Sequence, residues 1–109
     1  MDAEKEFRQI VLAFEHEPGV SFGSKGKTFG ANALKVNNKI FAMLSSRTEF
    51  VLKLPRSRVE ALIAAGQGRS FETAPGRAMK EWIVLTSADQ AQYLALSREA
   101  LAFVDISHS

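Results

Sequence analysis

The sequence has 109 residues, with 46% apolar and 24% charged residues, a formal net charge of +2 and no cysteine. This composition is that of a single globular domain spanning residues 1–109, and the absence of cysteine excludes disulfides, thiolate catalysis and cysteine-bound metal centres. No apolar run approaches the ~20 residues that span a bilayer. The acidic N-terminus does not resemble a secretory signal, so we expect a cytoplasmic protein with no membrane partner.

The chain begins with a predicted helix of about four turns. Its apolar stripe has the spacing i, i+3, i+4, i+7 and consists of Phe7, Ile10, Val11 and Phe14. Pro18 and Gly19 end this element. Residues 19–32 contain four of the seven glycines and are predicted to form a loop.

Strands are predicted next, because the apolar period changes to two. The first two strands, Ala33–Asn37 and Lys39–Leu44, flank a tight turn at Asn37-Asn38, where asparagine tolerates positive φ. A third strand covers Glu49–Leu54.

The second half of the chain is predicted to contain two helices and two strands. Pro55 opens a helix that Gly66 stops. Strands follow around Arg69–Thr73 and Arg77–Thr86, with Pro75-Gly76 as their turn. The pattern Ser87-x-x-Gln90 is typical of a capping box and predicts a last helix. The apolar stripe of this helix includes Leu94, Leu101 and Val104, widened by Tyr93, Ala100 and Phe103.

These elements predict an α+β fold of two layers in the order α-β-β-β-α-β-β-α. Hairpin-length connections make the five-stranded sheet antiparallel, with helices against one face. In the second strand, strict alternation places Ile40, Ala42 and Leu44 on one side, and Phe41 and Met43 on the other. Because both sides are apolar, we expect Phe41 and Met43 to be a possible interface, with a homodimer as one possible partner.

Several motifs suggest enzymatic or metal chemistry, but their contexts argue against it. Gly26-Lys27-Thr28 ends as a P-loop does, yet the first glycine of that motif falls on Ser21, and a strand is predicted where a helix should follow. Gly19-Val20-Ser21-Phe22-Gly23 matches the nucleophile elbow of hydrolases without a placed histidine base. We therefore expect no enzyme, no cofactor and no metal site. Weak anion binding by Lys25 and Lys27 remains open.

Basic residues are concentrated in the middle of the chain. From Pro18 to Lys80 there are eleven basic and three acidic residues, a local net charge of +8, whereas each flanking segment carries −3. Lysines and arginines gathered on one face bind phosphates in a salt-sensitive manner, and neighbouring aromatic side chains can stack on unpaired bases. The candidate nucleic-acid contacts are Lys35, Lys39, Lys53, Arg56, Arg58, Arg77 and Lys80.

A family resemblance extends over most of the chain. The segments Ala33-Leu34-Lys35-Val36-Asn37-Asn38-Lys39-Ile40-Phe41-Ala42-Met43, Phe50-Val51-Leu52-Lys53-Leu54-Pro55 and Gly76-Arg77-Ala78-Met79-Lys80-Glu81-Trp82 resemble the N-terminal domain of TfoX/Sxy proteins and the related YjbR (MmcQ) family. The resemblance implies a secretion-chaperone-like α+β fold and an association with DNA. It implies no catalytic residue. The sequence ends after the last predicted helix, so we do not expect the C-terminal domain of full-length TfoX.

The sequence thus predicts a small non-enzymatic domain associated with nucleic acid, and its resemblance to TfoX/Sxy proteins, which are regulators, implies a regulatory role. The alternative is a protein-interaction module, either a homodimer or a chaperone-like adaptor, that uses an exposed apolar face of the sheet. Both hypotheses depend on how the strands place their side chains.

Overall fold

A computed structural model describes residues 3–23, 33–45, 47–74, 76–86 and 90–106. These residues form three helices and six strands: α1 (Ala3–Phe14), β1 (Val20–Gly23), β2 (Ala33–Val36), β3 (Lys39–Leu44), β4 (Phe50–Lys53), α2 (Arg56–Ala64), β5 (Gly68–Ala74), β6 (Arg77–Leu85) and α3 (Gln90–Ile106). The fold is therefore α+β, as predicted. The predicted lysines Lys25 and Lys27 and the capping residue Ser87 lie outside the described residues.

The sheet is antiparallel with the strand order β1-β2-β3-β4-β6-β5. The prediction of five strands was wrong, because β1 lies inside the segment assigned to a loop. Val20 and Phe22 alternate with Ser21 and Gly23, and this short run pairs with β2 from Val20–Val36 to Gly23–Ala33. The signal was obscured by the high glycine content of the segment.

The turn between β2 and β3 and the end of α2 are as the sequence predicts. Asn37 and Asn38 adopt φ values of 51° and 69°, which asparagine tolerates better than most residues, and they join β2 to β3. Gly66 follows α2 with φ 77° and ends it. Pro55 precedes α2 as its N-cap rather than standing as its first residue.

The inner face of the sheet, defined as the face against the helices, carries the main core. Phe50 of β4 contacts Phe7 of α1 and Tyr93 of α3, with ring centroids 5.6 and 4.7 Å apart. Burial raises the pKa of Tyr93, and the charge of Glu6 adds to the effect. In α3 the fully buried stripe is shifted from the predicted one and consists of Tyr93, Leu96, Ala100 and Val104, while Leu94 and Leu101 are only partly buried.

The outer face, on the opposite side of the sheet, has a smaller apolar cluster. Its buried members among the described residues all come from strands and are Ala33, Met43, Val51, Phe71 and Val84. Four of them form one row across the sheet, since Ala33 pairs with Met43, Met43 with Val51, and Val51 with Val84. Ile40 and Trp82 pack against this cluster from its margin.

A β-bulge in β3 overturns the predicted alternation of that strand. Leu34 pairs with Ala42 and Lys35 with Ile40, so Phe41 is an extra residue. As a result, Phe41 joins the inner cluster with Ala42, whereas Met43 joins the outer one. Phe41 and Met43 therefore lie on opposite faces of the sheet. Because they are only 0% and 3% exposed, they also do not form the exposed interface that the sequence predicted.

Candidate nucleic-acid interface

The strongest candidate site is a cleft at the margin of the sheet, beside the bulge. Strand β3 pairs with β4 from Ala42–Leu52 to Leu44–Phe50, and Lys39 and Ile40 extend beyond these pairs. On the other side of the opening, Lys53 of β4 pairs with Trp82 of β6. The cleft has a volume of about 620 Å³ and is lined by Asn38, Lys39, Ile40, Lys53, Glu81, Trp82, Phe103 and Val104.

Lys53 is held between a carboxylate and an aromatic ring. Its Nζ lies 3.9 Å from Oε1 of Glu81 and 5.2 Å from the ring centroid of Trp82. The first distance is at the outer limit of an ion pair, and the second is typical of a cation–π contact. The position of Lys53 in the cleft is therefore stabilised by two weak interactions, an ion pair and a cation–π contact.

Lys39 lines the same cleft as Lys53. It is exposed and makes no ion pair with a carboxylate of the described residues. Two lysines thus line a space that is also lined by Trp82 and by the apolar residues Ile40 and Phe103. Such a space suits a ligand that combines an anionic group with a flat apolar one.

The structure separates the other predicted basic residues into two groups. Arg56 and Arg58 lie on α2, which packs on the inner face, and both are paired: Arg56 Nε donates to Glu60 at 3.0 Å, and Arg58 binds both carboxylate oxygens of Glu99 at 2.9 and 3.2 Å. Their charges are therefore largely balanced within the helix layer, and neither arginine is among the residues that line the cleft.

The remaining predicted contacts lie on strands. Lys35 pairs with Ile40 and so shares the outer face with Lys53. Lys80 is exposed on β6, and neither it nor Lys35 forms an ion pair with a described carboxylate. The backbone of Arg77 lies in β6, but its side chain is outside the described part of the structure.

A second cationic cluster, not predicted from the sequence, lies at the far end of the outer face. The buried Glu49 accepts hydrogen bonds from Ser45 and Arg69, and its Oε1 lies 3.2 Å from Nε of Arg47. Burial alone would raise the pKa of Glu49, but the hydrogen bonds from Arg69 and Ser45 and the charges of Arg47 and Arg69 outweigh it. The pKa of Glu49 is therefore held below its ordinary value.

Sequence reasoning selected Lys39 and Lys53 as site residues, but it selected neither Glu81 nor Trp82. The neighbours of Lys53 are set by pairing between β4 and β6, which are separated in sequence by α2 and β5. The alternation of polar and apolar residues in β6 was the available signal for Trp82. It could not specify which strand would lie beside it.

Comparison of the chain with known protein families, curated proteins and solved structures finds no match. Among the helices in the described ranges, none is long and apolar enough to cross a membrane. Within those same ranges, no three histidine, cysteine, aspartate or glutamate side chains converge as a metal ion would need.

Proposed function

We propose that this domain is a non-enzymatic, nucleic-acid-associated regulatory protein of the cytoplasm, of the TfoX/YjbR kind that its sequence resembles. The observation that carries the proposal is that Lys39, Lys53 and Trp82 line one cleft, with the ammonium group of Lys53 over the ring of Trp82. Cations that converge beside an aromatic ring offer phosphate contacts and a stacking surface together.

Charge distribution around the cleft supports this assignment. Lys35 lies on the same face as Lys53, whereas the arginines of α2 are engaged by Glu60 and Glu99 on the opposite layer. Of the candidate contacts whose side chains the structure describes, those on the outer face and its margin therefore retain capacity for an anionic partner.

Binding of a fluorescein-labelled oligonucleotide, followed by anisotropy at low and at physiological salt, tests the proposal. We expect salt-sensitive binding that Lys39→Gln and Lys53→Gln each weaken about threefold to tenfold, since each removes about 0.5–1.5 kcal/mol of hydrogen bonding. Each variant should also reduce the slope of log affinity against log salt by about 1.

Arg56→Gln is the matched control, because it removes one positive charge from the helix layer. The substitution disrupts only an exposed ion pair with Glu60, so the fold should be retained. Exposed ion pairs contribute little free energy, and we therefore expect oligonucleotide affinity to change less than about twofold. Absence of binding at low salt, or equal losses in all three variants, would contradict the proposal.

A further inference from the structure

We propose that the cleft receives one unpaired nucleotide of a single strand, with its base against Trp82 and its phosphate between Lys39 and Lys53. This inference rests on the proposed function and specifies the substrate class, which is single-stranded rather than double-helical nucleic acid. It also assigns a role to Glu81, as the carboxylate that the phosphate must replace beside Lys53.

The indole of Trp82 is the first element of the argument. Trp82 is half-buried: it packs against the outer cluster, and the ammonium group of Lys53 lies over its ring. Because the cation over this ring belongs to a partly exposed lysine, a nucleobase can take its place. Stacking of this kind tolerates any base, so it predicts little sequence preference.

The exchange at Lys53 is the second element. Its side chain is 33% exposed, and its ion pair with Glu81, itself 48% exposed, spans 3.9 Å. A phosphate oxygen at hydrogen-bonding distance forms a stronger, charge-assisted bond than this loose pair. We therefore expect Lys53 to turn from Glu81 towards the phosphate, which leaves the ring of Trp82 open for the base.

The shape of the opening is the third element. The cleft lies where β3 and β4 cease to pair, and its volume of about 620 Å³ falls within the range of small-molecule sites. Residues from both layers of the domain line it, since Phe103 and Val104 belong to α3. In a duplex the bases are stacked and paired, and only an extruded base could enter such a cleft.

Trp82 is the only tryptophan of the chain, so intrinsic fluorescence reports on the cleft directly. We would titrate the protein with oligothymidylate, with its duplex with oligodeoxyadenylate, and with an abasic strand of equal length. Oligothymidylate should quench Trp82 and bind about tenfold tighter than the abasic strand or the duplex, the scale of one stacked base.

These probes separate the two proposals. Equal affinity for all three would overturn the single-nucleotide inference while leaving phosphate binding in place. If none of them binds at low salt, the proposed function fails as well.

Glu81→Gln tests the exchange at Lys53. Because it removes a competing carboxylate and keeps the side-chain size, we expect oligothymidylate affinity to rise about threefold, opposite to the effect of Lys53→Gln. Glu60→Gln is the control, since it frees Arg56 on the helix layer. A loss of affinity in Glu81→Gln, or an equal gain in Glu60→Gln, would show that Glu81 does not restrain Lys53.

Discussion

The four residues of strand β4 alternate between the inner and the outer face of the sheet, and these two faces differ in how their side chains are packed. Phe50 and Leu52 face the helices and are 0% exposed in the large inner cluster, whereas Val51 belongs to the smaller outer cluster. Lys53 is the next residue of β4 on the outer face after Val51, and it lines the cleft. The inner face therefore stabilises the fold, and the margin of the outer face is available to a ligand.

The largest expected difference between the two faces is in the free energy of unfolding that is lost when a buried side chain is truncated to alanine. Leu52→Ala on the inner face and Met43→Ala on the outer face both remove buried side chains, and such changes cost about 2–5 kcal/mol. We expect Leu52→Ala near the upper end, because three helices hold the surrounding residues in place. Met43→Ala should lie near the lower end, because its smaller cluster can relax into the space.

Urea denaturation with both variants at one temperature measures this difference. Equal losses of unfolding free energy would show that the outer cluster is as rigid as the inner one. The distinction drawn from cluster size would then be wrong.

Ion pairs give the second contrast between the two faces. On the outer face, Glu49 is 8% exposed and is hydrogen-bonded by Arg69 and Ser45, whereas on the inner layer Glu99 meets Arg58 at a pair about 44% exposed. Glu49→Gln should therefore cost about 1–3 kcal/mol at neutral pH, because it leaves arginine donors without a charged partner. Glu99→Gln should cost at most about 1 kcal/mol.

The pH dependence of stability checks the assignment to Glu49. Its pKa is lowered by folding, so its contribution is complete above about pH 4.5 and is lost as the pH falls through the lower folded pKa. Wild type should therefore lose more stability between neutral and acidic pH than Glu49→Gln does. Parallel pH profiles would indicate that the Glu49 cluster contributes no net charge stabilisation.

Local patterns predicted those parts of the fold that depend on neighbours in sequence. The stripe Phe7, Ile10 and Phe14, the positive φ at Asn37 and Asn38, and the stop at Gly66 are all encoded within a few residues. The bulge at Phe41 was not predictable in this way, because it reflects how β3 accommodates β2. Strict alternation therefore assigned Phe41 to the wrong face.

The candidate site shows the same division between local and long-range information. Composition identified lysines in the middle of the chain, but it gave equal weight to Arg58, whose partner Glu99 lies 41 residues away. Likewise, Glu81 and Trp82 reach Lys53 only through the pairing of β4 with β6. Among the described basic residues in the middle of the chain, Arg56 and Arg58 are paired with carboxylates in the helix layer, whereas Lys39 and Lys53 line the cleft at the sheet margin.

The smallest expected difference between the two faces concerns two serine side chains, one in the inner layer and one beside Glu49. Ser97 of α3 is 0% exposed in the inner layer, and its Oγ has no hydrogen-bond partner among the described residues. Ser97→Ala removes this buried hydroxyl and favours the helix, so unfolding free energy should stay level or rise by up to about 1 kcal/mol. By contrast, Ser45 Oγ donates to Glu49 and accepts from its backbone N–H, so Ser45→Ala should lose about 1 kcal/mol. Thermal denaturation of both variants measures the change in stability. A change of the same sign in both would show that the hydrogen bonding of these two serines does not differ as the structure indicates.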